Sequence, residues 1–170
     1  YLRYMRADLP YKTLADVRKA KEPPKCGSTG AGTSGSYMPK LLEETLGTKF
    51  TIVAGYQGGG EIDLAVERGE LHCRAFTIQA YHSREPYYTW RKKNFARILM
   101  QTGQTRDPRL ADVPTLRELM DEHKTPEADR RMVPMVLAAT DFGRPIVAPP
   151  GIPTDRLKIF REAFLKTMKD

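Results

Sequence analysis

The residues best suited to chemistry cluster in one stretch, Gly27-Ser28-Thr29-Gly30-Ala31-Gly32-Thr33-Ser34-Gly35-Ser36. Glycines let a backbone turn sharply and leave amides bare, and the hydroxyls of Ser28, Thr29, Thr33 and Ser34 add donors beside a predicted helix N-terminus. Unpaired amides and the helix dipole both favour negative charge, so such a turn suits an anion. The plainer alternative is a flexible turn that binds nothing. Within the stretch, Gly30 to Gly35 has GxGxxG spacing, the mark of a dinucleotide site. That chemistry also needs an acid about 20 positions on, at the end of the second strand, to hold the ribose hydroxyls. The strand expected there ends at Gly55-Tyr56-Gln57, and the next acid, Glu61, belongs to a helix. No Gly-Lys-Ser or Gly-Lys-Thr closes a phosphate loop, and no GxSxG elbow presents a nucleophilic serine.

A second turn, Gly58-Gly59-Gly60, stands between a strand and a helix just after Tyr56 and Gln57. In a parallel sheet both turns lie beyond the carboxyl ends of adjacent strands, where ligands enter, and Thr77 at the end of a third strand reaches the same edge. His72, His82 and His123 have no nucleophile or paired carboxylate close in sequence, so packing or solvated roles are expected for them. Cys26 and Cys73 lack CxxC spacing and a nearby histidine pair, which argues against a metal. They read as two buried thiols, or as a bridge if their strands are neighbours in an oxidising compartment. Donors without an evident acid, base, nucleophile or metal are better suited to holding a ligand than to changing it.

The elements that must position these groups alternate between strand and helix. Thr13 and Asp16 have capping-box spacing and open a helix to about Ala20, which Pro23 and Pro24 forbid from continuing. Strands are predicted at Lys25–Gly27, Lys49–Ala54 and Leu71–Thr77. Between them lie a helix whose Met38, Leu41, Leu42 and Leu46 share a face before Gly47, and a helix over Glu61–Arg68. This is βαβαβ, and right-handed crossovers make the three strands parallel. Ile78–Lys93 reads as a helix broken near Pro86, with Tyr81, Tyr87, Tyr88 and Trp90 as packing residues, followed by a fourth strand, Phe95–Gln101. Thr115 and Glu118 form a second capping box ahead of Leu116–Glu122, and Thr125-Pro126-Glu127 starts a helix to about Thr140. A short strand, Pro145–Ala148, a turn at Pro149-Pro150-Gly151 and a final helix capped by Thr154 complete the chain. That helix carries Leu157, Phe160, Phe164 and Met168 on one face.

The 170 residues suffice for one substantial core. The densest apolar run, Met132–Ala139, contains Pro134 and falls short of the roughly 18 to 20 residues of a membrane helix. The net charge of +7 concentrates anions without choosing among them, and Arg91-Lys92-Lys93 and Arg130-Arg131 are short enough to be solvated helix faces. Nucleic-acid binding is therefore the weakest of three readings, behind a solute receptor and a Rossmann-like nucleotide-binding enzyme. The chain begins at Tyr1 without a signal-peptide pattern.

Four landmarks occur in a familiar order: Gly27 to Gly32; Tyr56-Gln57-Gly58-Gly59-Gly60 with Ile62-Asp63-Leu64 and Gly69-Glu70-Leu71; Asp112-Val113-Pro114-Thr115; and Gly143-Arg144-Pro145 with Ala148-Pro149-Pro150-Gly151-Ile152-Pro153. In these, nearly the whole chain resembles the Bug-type receptors of tripartite tricarboxylate transporters. The resemblance implies an α/β fold, a type II periplasmic-binding-protein lobe with a mostly parallel, doubly wound sheet and flanking helices. It implies residues 13–138 as the complete second lobe, and residues 1–12 and 139–170 as parts of a first lobe that is largely missing. It further implies a periplasmic, non-enzymatic protein that needs no cofactor or metal, binds a small mono- or dicarboxylic acid and delivers it to an integral membrane permease. The ligand-holding set on this reading is Ser28, Thr29, Gly30, Gly32, Thr33, Ser34, Tyr56, Gln57, Gly58, Gly59 and Thr77. Where many relatives carry an aspartate at the end of the third strand, this chain has Phe76 and Thr77, a departure that bears on ligand choice.

Overall fold

In Leu2–Arg6, Leu2 and Tyr4 are buried on one side of the backbone and Arg3 and Met5 on the other, the alternation of a strand covered on both faces. This strand, β1, lies inside a five-stranded sheet whose strands lie in the order Thr51–Val53, Lys25–Gly27, Cys73–Phe76, Leu2–Arg6, Ala96–Gln101. The computed structural model describes residues 1–141 and 146–169, in two compact units, Tyr1–Leu137 and Ala138–Asp170. β2 (Lys25–Gly27) pairs in parallel with β3 (Thr51–Val53) and β4 (Cys73–Phe76), as expected. β1 is antiparallel to both β4 and β5 (Ala96–Gln101), so β5 runs in the same direction as β2, β3 and β4. No strand was expected within residues 1–12, yet Leu2–Arg6 is one of the five strands of this sheet. Five residues at a chain end carry no turn signal to announce a strand, and only the open edges of β4 and β5 select the extended form.

Helices cover both faces. α1 (Leu14–Arg18), α2 (Ser34–Leu46) and α6 (Leu116–His123) bury Leu14, Val17, Met38, Leu42, Leu116 and Met120 against Met5, Leu99 and Met100. On the other face α3 (Gly59–Glu67), α4 (Ile78–Ser83) and α5 (Tyr87–Lys92) pack Ile62, Val66, Ala80, Tyr87 and Trp90 against Leu2, Tyr4 and Phe76. Both capping boxes form: the Asp16 amide donates to Thr13 Oγ1 at 3.2 Å and the Thr13 amide to Asp16 Oδ2 at 2.8 Å, with matching bonds at Thr115 and Glu118. Gly47 ends α2 at φ 66°, where a Cβ is disfavoured. The break expected near Pro86 divides Ile78–Lys93 into α4 and α5, because a proline cannot donate within a helical turn.

α7 (Glu127–Arg130) and α8 (Met132–Asp141) follow. In the Ala138–Asp170 unit, Ile146–Ala148 is not a strand, and Pro145 and Gly143-Arg144 lie outside the described residues. Thr154 is the first residue of α9 (Thr154–Thr167) rather than its cap, which is Pro153, and Phe160, Phe164 and Met168 are exposed.

Cys26 and Cys73 are register partners in adjacent strands and form a disulfide, which decides between the two cysteine readings. Closing a separation of 47 residues removes unfolded-state freedom worth about 4 kcal/mol in the chain-entropy account. Arg3 is the unusual core residue. It is 1% exposed, its guanidinium has no hydrogen-bond partner among the described residues, and its Cζ lies 4.3 Å from the Phe50 ring centroid. Burial lowers its pKa to about 9, and a desolvated cation with only a ring face for company destabilises the fold.

Two outcomes are expected. Urea unfolding with and without reductant should differ by about 2–4 kcal/mol in favour of the bridged form. Arg3→Met should raise the thermal midpoint, by about 1–3 kcal/mol of added stability; a drop would mean the cation contributes more than it costs.

Candidate functional site

The turn between β2 and α2 begins where the strand's pairing ends: Gly27 is the register partner of Val53, and the Ser28 amide donates to the Val53 carbonyl at 2.9 Å. Ser28 is fully buried. Its Oγ accepts from the Gly30 amide at 3.2 Å and lies 2.7 Å from Ser36 Oγ and 3.1 Å from Thr33 Oγ1. Thr33 and Ser36 both donate to the Gly30 carbonyl at 2.8 Å. The hydroxyls of Ser28 and Thr33, expected to face a ligand, are instead tied into a knot that includes Ser36. Their protons go to the turn's own carbonyl because the chain, passing through Gly30 (φ 144°) and Gly32 (φ 79°), folds that oxygen back over them.

What the knot leaves free is backbone. Among the described residues, the amides of Thr29, Ala31, Gly32, Ser34 and Gly35 and the hydroxyls of Thr29 and Ser34 have no partner. Ser34 and Gly35 are the first two residues of the 13-residue α2, so their amides sit at the positive end of its dipole. Gly35 is required by contact: a Cβ there would lie 2.8 Å from Ser28 Cα.

The second turn leaves β3 beside the first. Gly58 caps α3, and the Gln57 amide is taken by Glu61 Oε2 at 2.8 Å. The amides of Gly58, Gly59 and Gly60 have no partner among the described residues. Tyr56 is half-buried against the second core cluster and Gln57 is exposed. Behind this turn lies a buried polar cluster. Arg74, 8% exposed, donates to the Gly59 carbonyl and, at 3.0 Å, to Asp63 Oδ1. Asp63, 4% exposed, also accepts from the Tyr4 hydroxyl at 2.9 Å and the Tyr87 hydroxyl at 2.6 Å. A Cβ on Gly59 would come within 2.6 Å of the Arg74 guanidinium, so the glycine admits the clamp. Burial raises the Asp63 pKa, outweighing the pull of Arg74, Tyr87 and Tyr4 in the other direction. Thr77, at the end of β4, caps α4 by accepting from the Ala80 amide at 3.3 Å and keeps its own proton to donate.

Thus the turns carrying Ser28 to Ser34 and Tyr56 to Gly59 start from register partners, and Thr77 follows the strand on the other side of β2. Sequence reasoning missed Ser36, Arg74, Tyr4 and Tyr87, and quoted Asp63 without a role. The available signal was charge inside apolar runs, Asp63 between Ile62 and Leu64 and Arg74 between Cys73 and Ala75. The histidines have local partners: His72 Nδ1 accepts from the Lys25 amide at 3.1 Å, His82 meets Arg91, and His123 meets Arg18. Among the described residues no group of three or more His, Cys, Asp and Glu could hold a metal.

The sequence profile of the tripartite tricarboxylate transporter family receptors matches residues 3–170. No curated protein sequence matches the chain. Among solved structures, a periplasmic transporter aligns with a TM-score of 0.68 at 18% identity over 99% of this chain and 51% of its own. A Rhodopseudomonas palustris protein with adipate aligns at 0.58 and 20% over 84% and 51%, and MatC from the same organism, with bound malate, at 0.58 and 19% over 81% and 50%. The chain spans about half the length of these structures, and at such identities they establish the fold. With a profile match from Arg3 to the last residue, the chain belongs to the tripartite tricarboxylate transporter receptor family.

Proposed function

We propose that this protein is the carboxylate-gripping part of an extracytoplasmic solute receptor. The observation that carries this is the row of unpartnered amides at Ala31, Gly32, Ser34 and Gly35, on a helix N-terminus beside the free amides of Gly58 to Gly60. A carboxylate accepts up to four hydrogen bonds, and backbone amides held rigid by the Ser28–Thr33–Ser36 knot meet it without reorganising. Thr29, Ser34 and Thr77 supply hydroxyl donors, while Ser28 and Thr33 act by shaping the turn. Arg74 acts from behind, tying Gly59 to β4. The ligand class, a small mono- or dicarboxylic acid, is supported by relatives of this fold with adipate and malate. Family membership supports periplasmic residence and handover to an integral membrane permease, with no chemistry performed on the ligand. The Tyr1–Leu137 unit is one lobe of a two-lobed receptor on this reading, with β1 inside it. A dinucleotide fits less well: the chain leaving β3, Ala54-Gly55-Tyr56-Gln57, offers no acid for a ribose.

Titrating nitrogen-15-labelled protein with malate and with adipate should shift the amide signals of Ala31, Gly32, Ser34, Gly35 and Gly58 to Gly60. A nicotinamide dinucleotide should leave them in place. Shifts confined to other residues would sink the assignment. Arg74→Met should cost about 3–5 kcal/mol, since it strands the buried Asp63. In the double variant Arg74→Met/Asp63→Asn most of that stability should return, yet acid binding should stay weakened by about tenfold, because nothing then holds Gly59.

A further inference from the structure

A concavity of about 780 Å³ lies within the Tyr1–Leu137 unit along the outer edge of β5. Its size is that of a site for a small organic molecule. Leu14, Leu46, Leu99 and Leu119 give it an apolar lining, and Lys12, Arg18, Arg97 and Lys124 bring four cations to it against two acids, Asp112 and Glu122. None of the four cations is in an ion pair among the described residues: Arg97 donates to the Tyr11 carbonyl at 3.3 Å, and Arg18 meets His123. Thr48 also lines the groove. It is 1% exposed, and its Oγ1 is buried without a hydrogen-bond partner among the described residues. Buried hydroxyls are almost always paired, so this one lacks a partner that the described residues do not supply.

The groove is not the glycine-turn site. Lys12 to Arg18 follow the end of β1, Thr48 precedes β3 and Arg97 stands near the start of β5, so these residues gather at the amino-terminal edge of the parallel strands. The glycine turns leave the opposite edge. We infer that the groove is a second binding site, for an amphipathic monoanion. Its head group lies among Arg97, Arg18, Lys12 and Lys124, its hydrocarbon body lies over the leucines, and Thr48 supplies a hydroxyl contact. A short, doubly charged acid lacks the body to use this lining, whereas unpaired cations beside buried leucines match a molecule with one charged end.

Calorimetry and amide-shift mapping with decanoate, decanol and adipate test this. Decanoate should bind with shifts at Thr48, Leu99 and Lys124, more weakly as salt rises, with decanol at least tenfold weaker and adipate unable to displace it. Arg97→Gln should weaken decanoate about tenfold. Thr48→Val should weaken it severalfold while raising the melting temperature of the ligand-free protein, a pairing that a purely structural threonine would not produce. Equal binding of decanol and decanoate, unchanged affinity in Arg97→Gln, or decanoate shifts confined to the glycine turns would each overturn the inference. Failure of malate and adipate at Ala31 to Gly35 would sink the receptor reading alone and leave this one standing.

Discussion

Everything at the glycine turns depends on the register of β2, β3 and β4, because each turn begins where its strand's hydrogen bonds run out. Gly27 opposite Val53 makes the two turns leave the sheet side by side. Cys26 opposite Cys73 adds a covalent lock to the neighbouring ladder, so β2 cannot slip against β4 without breaking a bond. A slip of one residue would turn every side chain of a strand to the other face, sending Cys26 out of one core cluster and Ser28 out of its knot.

Around that frame, polar groups are handled in three ways. Hydroxyls of Ser28, Thr33 and Ser36 are spent on one carbonyl, which stiffens the turn and leaves its amides outward. The Asp63–Arg74 pair is buried, but Tyr4 and Tyr87 donate to the carboxylate as well, so its oxygens do not go unmet. Arg3 and Thr48 are buried with side-chain polar atoms unmatched among the described residues. The first two arrangements organise the two glycine turns. Unmatched groups are costly, and at Thr48 the mismatch borders a groove of unpaired cations.

Local signals were read well where their cause is local. Thr13 with Asp16 and Thr115 with Glu118 bond across three residues, so spacing alone reveals the caps. The stripe Met38, Leu41, Leu42 and Leu46 is buried as its 3.6-residue period requires. The same reasoning failed at Leu2–Arg6, whose extended form is imposed by two strands distant in sequence. It also failed at Ser28 and Thr33, whose residue type announces a donor but whose proton direction depends on where Gly30 turns its carbonyl.

By itself, then, the sequence determined the alternation of strand and helix from β2 to β5, the location of both glycine turns and the absence of an acid to serve a dinucleotide, since each follows from residue type and short-range spacing. Tertiary structure decided that β1 completes the sheet and that Cys26 meets Cys73. It decided also that amides rather than the hydroxyls of Ser28 and Thr33 face outward, and that Arg74 reaches Gly59. The reason is common to all four: hydrogen bonds and covalent bridges are satisfied by whichever partner the folded backbone brings within about 3 Å, and no spacing along the chain encodes that distance.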